Sequence, residues 1–166
     1  MTKRAPFLVT PLNAAAHDRS RFDCGTPALN RYLHEQVSQD IQRNLAACFV
    51  ALDDAMRVAG FYTLSSARVP LLALPHDDRR KLPRNGHVPA VRVRHLAVDV
   101  TFKEQGLGGA LLADALVRAA RPELQAVLLL ADAKNAHAVA FYRHYGFIRL
   151  MDTATSLLLP LATVRR

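Results

Sequence analysis

Between residues 91 and 120 an alternating stretch passes through three glycines, Gly106, Gly108 and Gly109, into an amphipathic one. In Val91 to Val98, Arg92 and Arg94 alternate against Val91, Val93 and His95, the period of a strand. From Gly106 to Ala120, Leu107, Leu111, Ala115 and Leu116 fall on one side of a helix, which Pro122 stops. A strand that feeds a glycine turn and then a helix aims backbone N–H groups and the positive end of the helix dipole at one spot. Glycine lets an anion approach the backbone with no Cβ in the way, and the natural ligand is a pyrophosphate. The spacing matches neither G-x-G-x-x-G nor the P-loop, which needs a following G-K-S/T. A tight turn without a ligand is the alternative reading.

The remainder of the chain must supply layers around that unit. Pro6 to Leu12 reads as a first strand. Asp23 to Pro27 is turn-like; Thr26 can cap the helix after it and Pro27 suits that helix's first position. Leu29, Tyr32, Leu33, Val37 and Ile41 then share one helix face, with Arg31, His34, Glu35, Gln39 and Arg43 on the other. Ala47–Leu52 and Val58–Ser65 read as a hairpin turning at Asp53–Ala55. Arg68 to Pro89, with four prolines, reads as loop with one short helix. Ala126–Ala131 is an unbroken apolar run, a strand buried on both faces. Ala136–Tyr145 reads as a helix closed by Gly146, and Ser156–Leu161 as a last strand. The order β-α-β-β-β-α-β-α-β predicts an α/β fold, a mixed sheet with helices on both faces.

Composition narrows the classes. The 166 residues predict a single domain over 1–166, large enough to bury a core without disulfides or metal. The longest apolar run, Leu45 to Leu52, is far short of the roughly 20 residues that span a bilayer. The N-terminus is too poor in apolar residues for a signal peptide. Cys24 and Cys48 make no disulfide framework, and the histidines show no metal-ligand spacing. The expectation is a cytoplasmic protein with no membrane partner and no metal. The formal charge of +8 favours an anionic partner; solubility alone is the bland alternative. Arg79, Arg80, Lys81, Arg84, Arg92 and Arg94 crowd between 79 and 94, and Arg31 and Arg43 could extend them. No RNP-like aromatic motif or zinc finger accompanies them, which predicts contacts to a nucleic-acid backbone rather than to bases.

Leu96-Ala-Val-Asp99, then Lys103-Glu-Gln-Gly-Leu-Gly108 and the helix, resembles the acetyl-CoA motif of GNAT N-acetyltransferases, Q/R-x-x-G-x-G/A. Asn135-Ala-His-Ala-Val-Ala-Phe-Tyr-Arg-His-Tyr-Gly-Phe147 is similar to that family's second signature, N-x-x-A-x-x-F/L-Y-x-x-x-G-F. Phe22-Asp-Cys-Gly-Thr-Pro-Ala-Leu-Asn-Arg-Tyr-Leu33, Val58 to Ser66, Leu82-Pro83 and Leu159-Pro160-Leu161 resemble the GNAT toxins of type II toxin–antitoxin pairs. The resemblance runs from about residue 7 to 161. It implies a GNAT fold with a mixed, mostly antiparallel sheet, and transfer of acetyl from acetyl-CoA to the α-amino group of aminoacyl-tRNA. It also implies a homodimer and a ribbon-helix-helix antitoxin. The implied acetyl-CoA-binding set is Leu96, Ala97, Val98, Lys103, Glu104, Gln105, Gly106, Leu107, Gly108, Gly109, Ala110, Asn135 and Phe141. Three positions depart from the pattern. Lys103 stands where Gln or Arg is usual, Glu104 where these toxins carry Gly, and Arg94-His95 where Gly-Arg is usual.

Acetyl transfer to an amine needs a neutral amine, a polarised thioester and a proton for the leaving thiolate. A reference α-amino group titrates near 7.7–8.0, so a strong base is optional, and no obvious one is present in the sequence. Tyr142 is the candidate acid, with Tyr145 as its rival; a phenol titrates near 10. The alternative for Tyr142 is a core aromatic. The Val98 N–H is the candidate for polarising the carbonyl. Asn135 could hold the cofactor or cap its helix. An acetyltransferase for a small amine or protein N-terminus, and a non-catalytic CoA- or nucleic-acid-binding module, are the competing functions.

Overall fold

The structure, a computed structural model, describes residues 7–75, 77, 86–150 and 155–164. Seven strands, β1 (Leu8–Pro11), β2 (Ala47–Leu52), β3 (Val58–Pro70), β4 (His87–Val98), β5 (Leu128–Asp132), β6 (Ile148–Arg149) and β7 (Ser156–Pro160), form one sheet. Its order is β1-β2-β3-β4-β5-β7-β6. The β4–β5 pair is parallel; β1–β2, β2–β3, β5–β7 and β6–β7 are antiparallel. The expected mixed α/β architecture is present. No helix among the described residues is long and apolar enough to cross a membrane.

The chain divides into two compact units. The first, up to Leu64 and again from His95 to Ala115, holds β1, β2, the start of β3, the end of β4 and the start of α3 (Leu107–Ala119). It also holds α1 (Pro27–Arg31) and α2 (Val37–Gln42), joined by a π-helical turn, Tyr32–Gln36. Leu33, Val37, Val50, Leu52, Phe61 and Ala97 belong to its core. The predicted helix face is the buried one at Leu29, Tyr32, Leu33 and Val37, while Arg31 and Arg43 are exposed.

Thr26 flanks α1 as expected, but its side chain makes no capping bond. The turn is closed instead from Asp23 and Asn30. Asp23 Oδ1 accepts from the Gly25 N–H and from Asn30 Nδ2, each at 2.9 Å, and Asn30 Oδ1 accepts from the Cys24 N–H at 2.9 Å. Those bonds, the Gly25 one foremost, hold the Asp23 carboxyl below the usual aspartate range.

Gly60 marks a close approach inside this unit. A Cβ there would meet Leu111 Cδ1 at 2.9 Å and the Ala97 carbonyl oxygen at 3.0 Å. The Ala97 backbone cannot retreat as a side chain could. Gly60→Ala is expected to cost about 1–3 kcal/mol by overpacking, read as a lowered urea midpoint at unchanged m.

The second unit, Ser65–Arg94 and Leu116–Arg166, holds the end of β3, most of β4, and β5, β6, β7 and α4 (Ala136–His144). Val69, Leu74, Val88, Ala90, Leu128, Leu130 and Leu158 form its core. Leu128 to Ala131 are buried throughout, as the unbroken apolar run predicts. The loop expected over 68–89 is shorter than the prolines suggest. β3 continues to Pro70 and β4 begins at His87, because these adjacent strands satisfy each other's backbone groups. Pro70 ends one strand and Pro89 lies near the start of the other, positions where a missing N–H is tolerated. The short β6 leaves no mark in the periodicity.

Candidate functional site

In the first unit β4 ends at Val98, and Asp99 anchors the chain just beyond it. Asp99 is only 2% exposed. Its carboxylate accepts from the Thr101 N–H at 2.8 Å and the Asp23 N–H at 3.0 Å, and its own N–H donates to the Ala59 carbonyl at 2.8 Å. Three separate segments are thereby tied to the strand end. Thr101 lies in a 3₁₀ turn, Val100–Phe102, which leads into the glycine turn.

Glu104 and Gly106 both take left-handed backbone, with φ of +65° and +78°. Among the described residues, no acceptor meets the backbone N–H groups of Gly106, Leu107, Gly108 and Gly109. The first bond of α3 runs from the Ala110 N–H to the Gly106 carbonyl at 3.1 Å. Helix starts leave such donors open, and with the dipole they form an anion site. Open space surrounds Gly106 where a Cβ would stand. Leu107 is buried, so the helix is anchored to the core while its first turn faces outward at Gln105 and Gly106. The residues present therefore fit a pyrophosphate-bearing cofactor.

Of the two departures in this turn, Lys103 has a structural explanation and Glu104 has none. The Lys103 ammonium donates to the Cys24 carbonyl at 3.0 Å, which ties the turn to the segment before α1. Glu104 stands exposed in backbone that favours glycine. Glu104→Gly should tighten the binding of a pyrophosphate-bearing ligand several-fold by titration calorimetry, because it removes a carboxylate from beside the open N–H groups. Stability should move little: the left-handed penalty relieved, about 1 kcal/mol, is offset by the unfolded-state freedom of glycine.

Upstream of Leu96 and Val98, both half-buried, lies a residue whose role the sequence does not reveal. His95 has φ +60°, a left-handed residue inside a strand. Such conformations cost about 1–3 kcal/mol and gather at functional sites. Its ring stacks on Tyr32, centroids 3.6 Å apart and planes 10° apart. Its Nδ1 lies 2.8 Å from Thr63 Oγ1. Tyr32 begins the π-helical turn, and its hydroxyl donates to Asp40 at 2.7 Å.

In the second unit, Tyr142 sits on the buried side of α4, 6% exposed, with Phe141 and Phe147 rings at 5.2 and 5.3 Å. Among the described residues its hydroxyl has no hydrogen-bond partner. Burial pushes its pKa up to about 12, and the Asp132 carboxylate adds to the rise. Tyr145, the rival acid, is 43% exposed. Gly146, at φ +94°, ends the helix as expected. Asn135 Oδ1 accepts from the Ala138 N–H at 2.9 Å, so the capping reading of this residue is realised.

Asp132 also gathers cations. Arg92 donates to it at 2.8 Å, Arg94 Nε lies at 3.9 Å, and Ser156 Oγ donates at 3.2 Å. Arg92, expected to face phosphate, thus has a carboxylate partner. Arg79, Arg80, Lys81 and Arg84 lie outside the described residues. β4 pairs with β5 from Ala90/Leu128 to Val93/Ala131 and itself continues to Val98. Cys48 is buried in β2 with its thiol pushed up to about 12 by that burial, which leaves it inert as a nucleophile.

The acetyltransferase (GNAT) domain family matches residues 44–149. A probable toxin TacT of Sinorhizobium fredii (strain NBRC 101917 / NGR234) is 31% identical over 174 aligned positions, covering 99% of this chain and 96% of the relative. A tRNA-acetylating toxin of Mycobacterium tuberculosis (strain ATCC 25618 / H37Rv) is 35% identical over 134 positions, 80% of this chain and 79% of that protein. Among solved structures, AtaT complexed with acetyl-methionyl-tRNAfMet superposes with a TM-score of 0.88 at 27% identity, covering 96% of this chain and 97% of that one. AtaTR bound with acetyl-CoA superposes at 0.83 with 27% identity and 98% coverage of each chain. The match spans both units and includes the glycine turn and the Tyr142 helix: the chain belongs to the GNAT acetyltransferase family.

Proposed function

We propose that this protein is an acetyl-CoA-dependent N-acetyltransferase that acetylates the α-amino group of aminoacyl-tRNA and so blocks translation. The observation that carries the reading is the row of unpaired N–H groups from Gly106 to Gly109 at the start of α3. The 35% identity to a tRNA-acetylating toxin and the net charge of +8 support the tRNA acceptor. The family match, which crosses both units, supports reading residues 1–166 as one domain.

Acetyl-CoA supplies the activated acyl group. The turn from Lys103 to Ala110 holds its pyrophosphate through backbone N–H groups, Gly108 and Gly109 allowing close approach. Leu96, Ala97 and Val98 present strand backbone to the pantetheine arm, and the Val98 N–H polarises the thioester carbonyl. Phe141 and Asn135 complete the cofactor contacts, Asn135 through the amide nitrogen its cap leaves open.

Tyr142 serves the leaving thiolate. A phenol held near 12 stays protonated at every physiological pH, and its proton is always available. Transfer to a thiolate whose reference pKa is near 8.5 is uphill, so Tyr142 stabilises the developing charge by hydrogen bonding before it yields the proton. The acidic proton of the newly acylated nitrogen closes the balance.

The protein works as a homodimer in the cytoplasm and is neutralised by a ribbon-helix-helix antitoxin. The basic segment at Arg79, Arg80, Lys81 and Arg84, with exposed Arg31, Arg43 and Arg94, contacts tRNA phosphates. The test is transfer of labelled acetyl to purified aminoacyl-tRNA, with the free amino acid as competitor acceptor. The tRNA ester is the far better acceptor if the reading holds; equal acetylation of both overturns it in favour of a small-amine enzyme. Reversing Arg79, Arg80 and Lys81 to Glu should weaken tRNA binding and reduce its log–log salt slope by up to about 3, with acetyl-CoA affinity unchanged.

A further inference from the structure

We propose that Tyr62 and Asp114 are positioning residues for the acetyl-CoA turn: their hydrogen bond fixes where α3 sits along β3, and thereby where the open N–H groups at its start point. The role rests on the placement of the pyrophosphate at that turn given above. All the residues concerned lie in the first unit.

α3 meets β3 through two kinds of contact. At Gly60 the contact is apolar and close, since a Cβ there would lie 2.9 Å from Leu111 Cδ1 and 3.3 Å from Leu107 Cδ2. Both leucines are buried. Two residues along the strand, on the same face, the Tyr62 hydroxyl donates to Asp114 Oδ2, one turn beyond Leu111 on the helix. Tyr62 is fully buried, and its ring stacks on Phe49, its cross-strand partner on β2, with centroids 5.3 Å apart. The donor is thus held by the sheet, and Asp114 is held by the donor.

The two contacts do different things. Burial of Leu107 and Leu111 draws α3 onto the sheet, but the hydrophobic effect is non-directional and tolerates small slides and rotations. A hydroxyl–carboxylate bond needs oxygens about 2.5–2.8 Å apart and weakens steeply with angle. A slip of one helical residue, about 1.5 Å and 100°, would break it. Polar pairs inside apolar interfaces are used to select one register among several.

The composition of α3 agrees. Asp114 and Arg118 are its only polar side chains. Aspartate is a poor residue for a helix interior, and its charge opposes an anion bound at the start of the same helix. The bond to Tyr62 is a compensation the structure shows. About two turns from Asp114, the N–H groups of Gly106 to Gly109 meet no acceptor among the described residues. Such a row holds a pyrophosphate only when its donors are aimed to within about 0.5 Å, and they move with the helix.

Three variants test the role by acetyl-CoA calorimetry and urea unfolding. Tyr62→Phe changes no charge and removes only the donor. Asp114→Leu removes the acceptor and a negative charge, so a Coulombic effect alone would tighten acetyl-CoA binding. The double variant sets two apolar groups against each other, an arrangement that can be as stable as the polar pair it replaces. We expect acetyl-CoA affinity about tenfold lower in all three, the lower end of what a residue orienting a binding group contributes. The single variants should lose stability and the double variant should regain it. The kinetic loss should fall in KM for acetyl-CoA, with KM for aminoacyl-tRNA unchanged. Asp114→Asn keeps an acceptor for Tyr62 and should bind acetyl-CoA more tightly than Asp114→Leu. A merely structural pair would show affinity returning with stability in the double variant. That result, parental affinity in every variant, or tighter binding by Asp114→Leu overturns the role while leaving the turn as the cofactor site. Unchanged affinity in Gly106→Asp and Gly106→Asn removes the turn itself and overturns both.

Discussion

Tyr142→Phe should cut acetyl transfer to aminoacyl-tRNA by about 10²–10⁴-fold, the range for a positioned acid, while acetyl-CoA affinity is unchanged. The substitution removes one oxygen that has no hydrogen-bond partner among the described residues. No buried donor or acceptor is orphaned by the change, so the variant should be at least as stable as the parent. The parent protein carries a titration that the variant lacks. The folded pKa, about 12, lies above the ordinary tyrosine value of 10.0. The stabilisation associated with the neutral phenol is complete below pH 10 and lost as pH rises through 10 to 12, about 3 kcal/mol across that window. Urea midpoints at pH 9 and pH 11 should therefore diverge between parent and variant, with the variant less alkali-sensitive. Wild-type turnover in the Phe variant would remove Tyr142 from the mechanism and move attention to Tyr145. Loss of growth inhibition on expression gives the same answer in cells.

Gly106→Asp should lower acetyl-CoA affinity by about 10²–10³-fold. A carboxylate placed about 4 Å from a phosphate at intermediate dielectric costs about 4 kcal/mol before screening. Steric exclusion contributes little, since nothing stands within 4 Å of the missing Cβ. Backbone strain does contribute, because φ is +78°. Gly106→Asn separates the two effects. Asparagine has nearly the shape of aspartate, tolerates left-handed backbone and carries no charge. The expected result is a large loss for Asp and a small one for Asn by calorimetry. Equal losses would trace the effect to the backbone, and unchanged affinity in both would move the pyrophosphate away from the turn.

These two outcomes bear on different units of the chain, and together they test whether both belong to one chemistry. The proposed anion site, the glycine turn held beside the hydrogen-bonded Asp99, lies within the first unit. The second unit supplies a buried phenol with its proton retained. The cations around Asp132 add a consequence for Tyr142. Arg92 holds that carboxylate at 2.8 Å, and the carboxylate in turn helps raise the phenol pKa. Arg92 is therefore paired with a carboxylate that acts on Tyr142, which the basic run at 79–94 does not suggest.

The features legible in the residues alone are local ones. The glycine turn opening a helix, the Gly146 stop after Tyr142, the apolar face at Leu29, Leu33 and Val37, and the buried run at Leu128–Ala131 all arise from backbone freedom or hydrophobic period within a few residues. Those signals act over one turn or one strand and need no distant partner. Long-range packing decides the rest. His95 is legible as an ordinary alternating strand residue until Tyr32 and Thr63, far away in the chain, fix its ring. Thr26 has the chemistry of a cap, but Asp23 and Asn30 close that turn first. Arg92 reads as a free cation until β4 and β5 pair in parallel and set it against Asp132. The prolines near 70 and 89 read as loop until strand pairing, which satisfies the remaining backbone groups, extends both strands to meet them. In each case the deciding energy is a contact between segments distant in sequence, and periodicity within one segment carries no record of it.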